Sequence, residues 1–150
     1  MERTRVLLPG SSLTDENGPL YYEAKDLYVG GKIGVLSHSF VLLDADEYAY
    51  KYMEENPTTF KYSDTPLITT KILGLLRKLD QQARVQMIEK IQNVDIKNNG
   101  TISRKNIVAI AKDALEGSGL VEHEIITFCR QFENLDENQS VDYVKLIRSM

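Results

Sequence analysis

The sequence predicts an α+β protein, in which a small strand-rich segment precedes a larger all-helical region. Three observations carry this. Between residues 20 and 43, short apolar runs alternate with glycine and serine breaks, the pattern of strands and turns. From residue 67 onward, apolar residues recur at the three-to-four spacing of helices packed on one face. Between the two, residues 57–66 read PTTFKYSDTP, a linker of turn-forming residues.

Residues 1–19 contain Pro9, Gly10, Ser11, Ser12, Gly18 and Pro19 and read as an N-terminal tail. In the segment 20–56, Tyr21, Tyr22, Leu27, Tyr28 and Val29 precede a break at Gly30-Gly31. Ile33–Leu36 and Phe40–Leu43 are expected as the strands of a hairpin turning at Ser37-His38-Ser39. Both strands are nearly all apolar and want cover on both faces. A helix over 44–55 is expected next. Asp44 is its N-cap, and Glu47 completes a capping box. Ala45, Tyr48, Ala49, Tyr52 and Met53 form its apolar stripe, and Asn56-Pro57 ends it.

The region 67–150 follows. Ile68, Ile72, Leu75, Leu76 and Leu79 form one stripe, and Val85, Ile88, Ile91 and Val94 another. Asp80-Gln81-Gln82 is the candidate joint if these are two helices. Ile107, Ile110, Ala111, Ala114 and Leu115 mark a helix stopped by Gly117-Ser118-Gly119. Val121, Ile125, Phe128, Phe132 and Leu135 mark the next, and Asp142 to Met150 a short last one.

These helices leave two twelve-residue loops, at 95–106 and 134–145. The first, DIKNNGTISRKN, fits an EF-hand frame. Asp95 stands at position one, Gly100 at the sharp turn of position six and Ile102 at the apolar position eight. The second, NLDENQSVDYVK, is framed by Val141 at position eight. In these frames the oxygen-bearing candidates for calcium are Asp95, Asn99, Thr101 and Ser103 in the first loop. In the second they are Asn134, Asp136, Asn138, Ser140 and Asp142. The chemistry is poor. Calcium wants a bidentate glutamate at position twelve, where this chain has Asn106 and Lys145. Lys97 puts a cation at position three, and Gln139 replaces the turn glycine. The expectation is an EF-hand fold that has lost its ion: no metal site and no cofactor, with calcium the one ion left to consider.

The string DLYVGGKIGVLSHSFVLLDADEYAYKYMEEN, within residues 20–56, resembles the C-terminal half of a DM-ten domain. That domain is repeated in the EF-hand domain-containing family C proteins of cilia. The carrying residues are Tyr28-Val29-Gly30, the hairpin around His38 and the acidic run at 44–48. The family also places an EF-hand-like helical region after its last such domain. The resemblance implies a non-enzymatic structural protein of the ciliary or flagellar axoneme, a scaffold or inner protein of doublet microtubules. Its implied partners are tubulin or other axonemal doublet proteins. A calcium-binding EF-hand regulatory or adaptor protein is the alternative.

The composition bounds these expectations. The 150 residues carry 18 bases and 22 acids, interspersed, for a net charge of −4. That argues against a nucleic-acid partner. No apolar run is long enough for a bilayer span, so no membrane partner is expected. The single cysteine, Cys129, lies in an apolar helical stretch and reads as a buried inert thiol in a reducing, cytoplasmic setting. Asp44, Asp46, Glu47, Glu54 and Glu55 form an acidic cluster, but capping explains the Asp44/Glu47 spacing. His38 and His123 have no Ser, Cys or Asp at motif spacing. Gly30, Gly31 and Gly34 do not make a phosphate loop. Most of the eight tyrosines fall in the strand-rich segment, as packing or interface residues. That segment is too short to close a core alone. It must pack on the helical part, pair with itself, or add strands to a partner.

Overall fold

A computed structural model describes residues 23–35, 38–134 and 139–150. The class is α+β, with helices dominating and two small antiparallel sheets. The chain divides into two units, Met1–Lys61 and Tyr62–Met150.

In the first unit, β1 (Lys32–Val35) and β2 (His38–Val41) pair antiparallel, Lys32 opposite Val41 and Val35 opposite His38. The ladder continues through Gly30 N–H to the Leu42 carbonyl and Leu42 N–H to the Gly31 carbonyl. Here the structure corrects the expected hairpin. His38 and Ser39 belong to β2, so the connection is two residues, the commonest hairpin length. Those residues, 36 and 37, lie outside the described ones. Glycine suits position 31, since a Cβ there would sit tightly, 3.0 Å from the Tyr28 carbonyl oxygen. Within the chain itself the two-sided cover that these strands want is not supplied to β2. All four residues of β2 are exposed, Phe40 to 55%.

The helix α1 spans Glu47–Glu55. Its cap is Asp46, whose carboxylate accepts the Ala49 N–H at 2.7 Å, and not Asp44. The reason lies in the side the helix buries. Tyr50 and Met53 are its buried residues, whereas Tyr48 and Tyr52 of the expected stripe are exposed. Starting at Asp46 frees Asp44 to accept the hydroxyl of buried Tyr50 at 2.8 Å. An unpartnered phenol there would lose its hydrogen bond on burial.

In the second unit, α2 (Thr65–Lys78) and α3 (Gln81–Val94) are separate helices, with Asp80 capping α3 through the Ala83 N–H. Ile68, Ile72 and Leu76 bury the expected face of α2. On α3 the buried pair is Met87 and Ile91, while Val85 and Val94 are turned out. That corrects the second stripe by rotating it. β3 (Thr101–Ser103) leads into α4 (Arg104–Ala114), and β4 (Ser140–Asp142) into α6 (Tyr143–Ser149). Between them α5 (Glu122–Arg130) runs through the core, buried from His123 to Cys129 and packed against α2 and α4. A helix buried all round is what a core position requires.

Candidate functional site

The two loops meet across β3 and β4. Thr101 faces Asp142, Ile102 faces Val141 and Ser103 faces Ser140. In loop numbering, seven pairs with nine, eight with eight and nine with seven. The two frames are therefore related by a local twofold. Ile102 and Val141 are buried at its centre. The sixth positions agree as well. Gly100 has φ +80° and Gln139 has φ +51°, both left-handed. Glycine takes that conformation freely, whereas Gln139 holds it at a cost of about 1 kcal/mol.

Asp95, at position one, is buried and fully engaged. Its Oδ1 accepts the Asn99 N–H at 3.1 Å. Its Oδ2 accepts the Gly100 N–H at 2.9 Å and the Tyr143 hydroxyl at 2.6 Å. The Tyr143 hydroxyl, with the loop amides behind it, holds the Asp95 carboxyl below its ordinary value against the opposing effect of burial. In return, the hydrogen bond to Asp95 and then burial push the Tyr143 phenol up to about 12.

The other candidate residues serve turns and caps. Asn99 Oδ1 accepts from Thr101 N–H and Oγ1. Ser103 caps α4 through the Asn106 N–H, and Asp142 caps α6 through the Lys145 N–H. Asn134 Nδ2 lies 3.4 Å from Ser140 Oγ. Asp136 and Asn138 lie outside the described residues. Among the described residues no three His, Cys, Asp or Glu side chains gather. This donor set does not fit calcium, which needs six to eight oxygens and a bidentate twelfth ligand. Position twelve offers an exposed amide in one loop and an ammonium in the other, and the carboxylate of Asp95 is already spent.

The twofold reveals a pair of contacts at position ten of each loop. Tyr143, tenth in the second loop, crosses to Asp95 at the head of the first. Arg104, tenth in the first loop, crosses to Glu133, one residue before the second. Its Nε donates to one carboxylate oxygen and its Nη2 to the other at 3.0 Å. Both side chains of this ion pair are largely buried. Charge-assisted, forked pairs are among the stronger polar contacts. Each loop is thus clasped to the other by its own tenth residue. Sequence reasoning missed both clasps. Their only signal was the twofold itself, which maps position ten onto the partner's first residues.

Other polar groups among the described residues serve packing. Ser63 Oγ and His123 Nε2 are 2.9 Å apart, a pairing invisible at sixty residues' separation. Both are about 1% exposed, so no substrate reaches them. Beside them Thr127 Oγ1 donates to the Tyr62 carbonyl at 2.6 Å, fastening the 61–63 turn to α5. Cys129 is fully buried, and burial pushes its thiol up to about 12, far from a reactive thiolate. His38 lies on β2 with its ring 6.4 Å from that of Phe40. A core cavity of about 20 Å³, lined by residues such as Ile72, Ile91 and Phe128, is far below ligand size.

Comparison with known proteins agrees with this architecture. A family profile for the DM10 domain matches residues 1–49. The EF-hand domain-containing family member C2 of Gallus gallus is 29% identical over 141 residues, covering 91% of this chain and 18% of that protein. Its Danio rerio counterpart is 30% identical over 132 residues, covering 88% and 17%. EF-hand domain-containing protein 1 of Homo sapiens is 41% identical over 81 residues, covering 54% and 12%. The chain therefore spans less than a fifth of the curated relatives it matches. With a DM10-matching segment ahead of two paired EF-hand-like loops, the chain is of the EF-hand domain-containing family C type.

Proposed function

We propose that this protein is a non-enzymatic structural component of the ciliary axoneme, a scaffold or inner protein of doublet microtubules that binds tubulin or a neighbouring doublet protein. One observation carries the reading. The DM10-matching segment presents large apolar and aromatic side chains to solvent: Phe40 (55% exposed), Leu43 (80%) and Tyr48 (80%). Such residues are interface anchors when clustered on a small β-rich element. The family resemblance supports the axoneme as the place where they are covered. Calcium regulation, the other reading, has in its favour the preserved loop pairing alone, and the engaged Asp95 and the lysine at position twelve oppose it.

The test is mass spectrometry of doublet microtubules extracted with detergent and salt, after expressing the tagged chain in ciliated cells. Retention of the chain, and its loss on Phe40→Ser with Leu43→Ser, is the expected result. Release of the unaltered chain with the soluble proteins would overturn the reading.

A further inference from the structure

Two sets among the cations of the second unit contrast. Lys71, Lys90, Arg104 and Lys112 each pair with a carboxylate, Glu124, Asp113, Glu133 and Glu122 respectively. Arg77, Lys78, Arg84 and Arg148 are different: hydrogen bonds join Arg77 and Arg84 at one corner of the lobe, and Lys78 and Arg148 are the chain neighbours of residues in that network. Arg84 Nη2 donates to the Arg77 carbonyl at 2.7 Å, and its Nε to the Leu76 carbonyl at 3.3 Å. Arg77 Nη2 in turn reaches the Ser149 carbonyl at 3.4 Å, next to Arg148. This joins the end of α2, the start of α3 and the end of α6. Helix ends favour cations in their last turns, which accounts singly for Arg77, Lys78 and Arg148 but not for Arg84 at the start of α3. It does not account for the lack of a carboxylate partner for any of the four among the described residues. From Thr65 to Ile88 the one side-chain carboxylate is Asp80, already used to cap α3, and from Tyr143 to Met150 there is none.

We propose that this corner binds an acidic polypeptide segment, one rich in Asp and Glu. The geometry favours carboxylates in two ways. The carbonyl bonds take only part of each guanidinium, which has five N–H donors, so further donors of Arg77 and Arg84 remain for a carboxylate fork. The same bonds hold the two side chains in place, which reduces the entropy lost when a partner binds. Lys78 and Arg148 are exposed beside them and supply charge that draws an acidic chain in. This surface is distinct from the apolar face of the first unit and does not depend on it.

The test is fluorescence anisotropy of the full chain with a short labelled polyglutamate peptide. Saturable binding that weakens as salt is raised is expected. Lys78→Glu with Arg148→Glu should weaken it about tenfold. A control of equal charge change, Lys51→Glu with Lys105→Glu, should shift it by no more than about twofold. Circular dichroism establishes that both variants stay folded. Equal weakening by the two double variants would overturn the proposal, as would no binding of the peptide. So would tighter binding to phosphatidylserine vesicles or single-stranded oligonucleotide than to polyglutamate.

Discussion

The two units of this protein place similar apolar residues to opposite ends. In the paired-loop lobe, Ile102, Ile107, Ile125, Phe128 and Val141 are each 5% exposed or less. In the hairpin and helix before it, Val29, Tyr50 and Met53 are buried, but Phe40, Val41, Leu43 and Tyr48 face solvent. The lobe leaves out scattered single residues, Leu67, Val85, Val94, Ile96 and Val144, while the first unit leaves out a strand. The difference teaches where each unit's stability resides. A lobe whose loops clasp one another is complete as it stands. A two-stranded sheet with one bare strand is marginal unless something covers it.

The sharpest way to break this comparison is to put the same charge into both units. Ile102→Asp buries an unpaired carboxylate at the centre of the loop pairing and should cost about 3–5 kcal/mol. Phe40→Asp, on the exposed strand, should cost about 1 kcal/mol or less. Urea denaturation of each variant measures the two. Equal losses would mean that the hairpin is as tightly packed as the lobe.

Next in size is the forked clasp. Glu133→Ala strands the Arg104 guanidinium in a largely buried site and should cost about 3 kcal/mol. Replacing both partners, Arg104→Met with Glu133→Leu, should restore most of that, because the loss comes from the unpaired charge. A double variant as unstable as the single one would assign the loss to packing instead.

The second clasp is read through pH. The Asp95 carboxyl titrates below its unfolded value of 3.8, so its contribution is present above that pH and fades as pH falls through the folded value. The Tyr143 phenol is raised from 10.0 to about 12, so its contribution is intact below pH 10 and is lost as pH rises toward 12. Tyr143→Phe should lower the melting temperature near neutrality and flatten both limbs of the profile. An unchanged alkaline limb would show that the phenol does not bind Asp95 in solution.

Smallest is the cap of α1. Asp46→Ala should cost about 1 kcal/mol by freeing the Ala49 N–H. Asp44→Ala leaves that bond in place and removes the partner of the Tyr50 hydroxyl instead. Amide exchange at Ala49 distinguishes the two, rising in the first variant and not in the second.

How far each unit could be read from sequence follows the same division. In the lobe, helical period and loop frame constrain each other. Fixing Val141 at position eight set the whole second loop, and the Ile102–Val141 pairing agrees with it. In the first unit the local signals compete. Asp44 and Asp46 are both good caps, and the stripe through Tyr48 and Tyr52 overlaps the one through Tyr50 and Met53. Only the buried side, which depends on distant residues, decides between them. The same ambiguity rotated α3 from Val85 and Val94 to Met87 and Ile91. The clasps at Tyr143 and Arg104 were unreadable for a different reason. Neither partner is near in sequence, and each meets its carboxylate only after the loops have paired.

The central claim is that the lobe is held by Tyr143–Asp95 and Arg104–Glu133 where an EF-hand pair would use its cation. The direct test is thermal melting of the full chain in saturating calcium and again in chelator. The account predicts the same melting temperature in both. A ligand that binds only the folded chain raises it, by about 2.7 kcal/mol of stability at a hundredfold excess over the dissociation constant. A rise of several degrees with calcium would contradict the account.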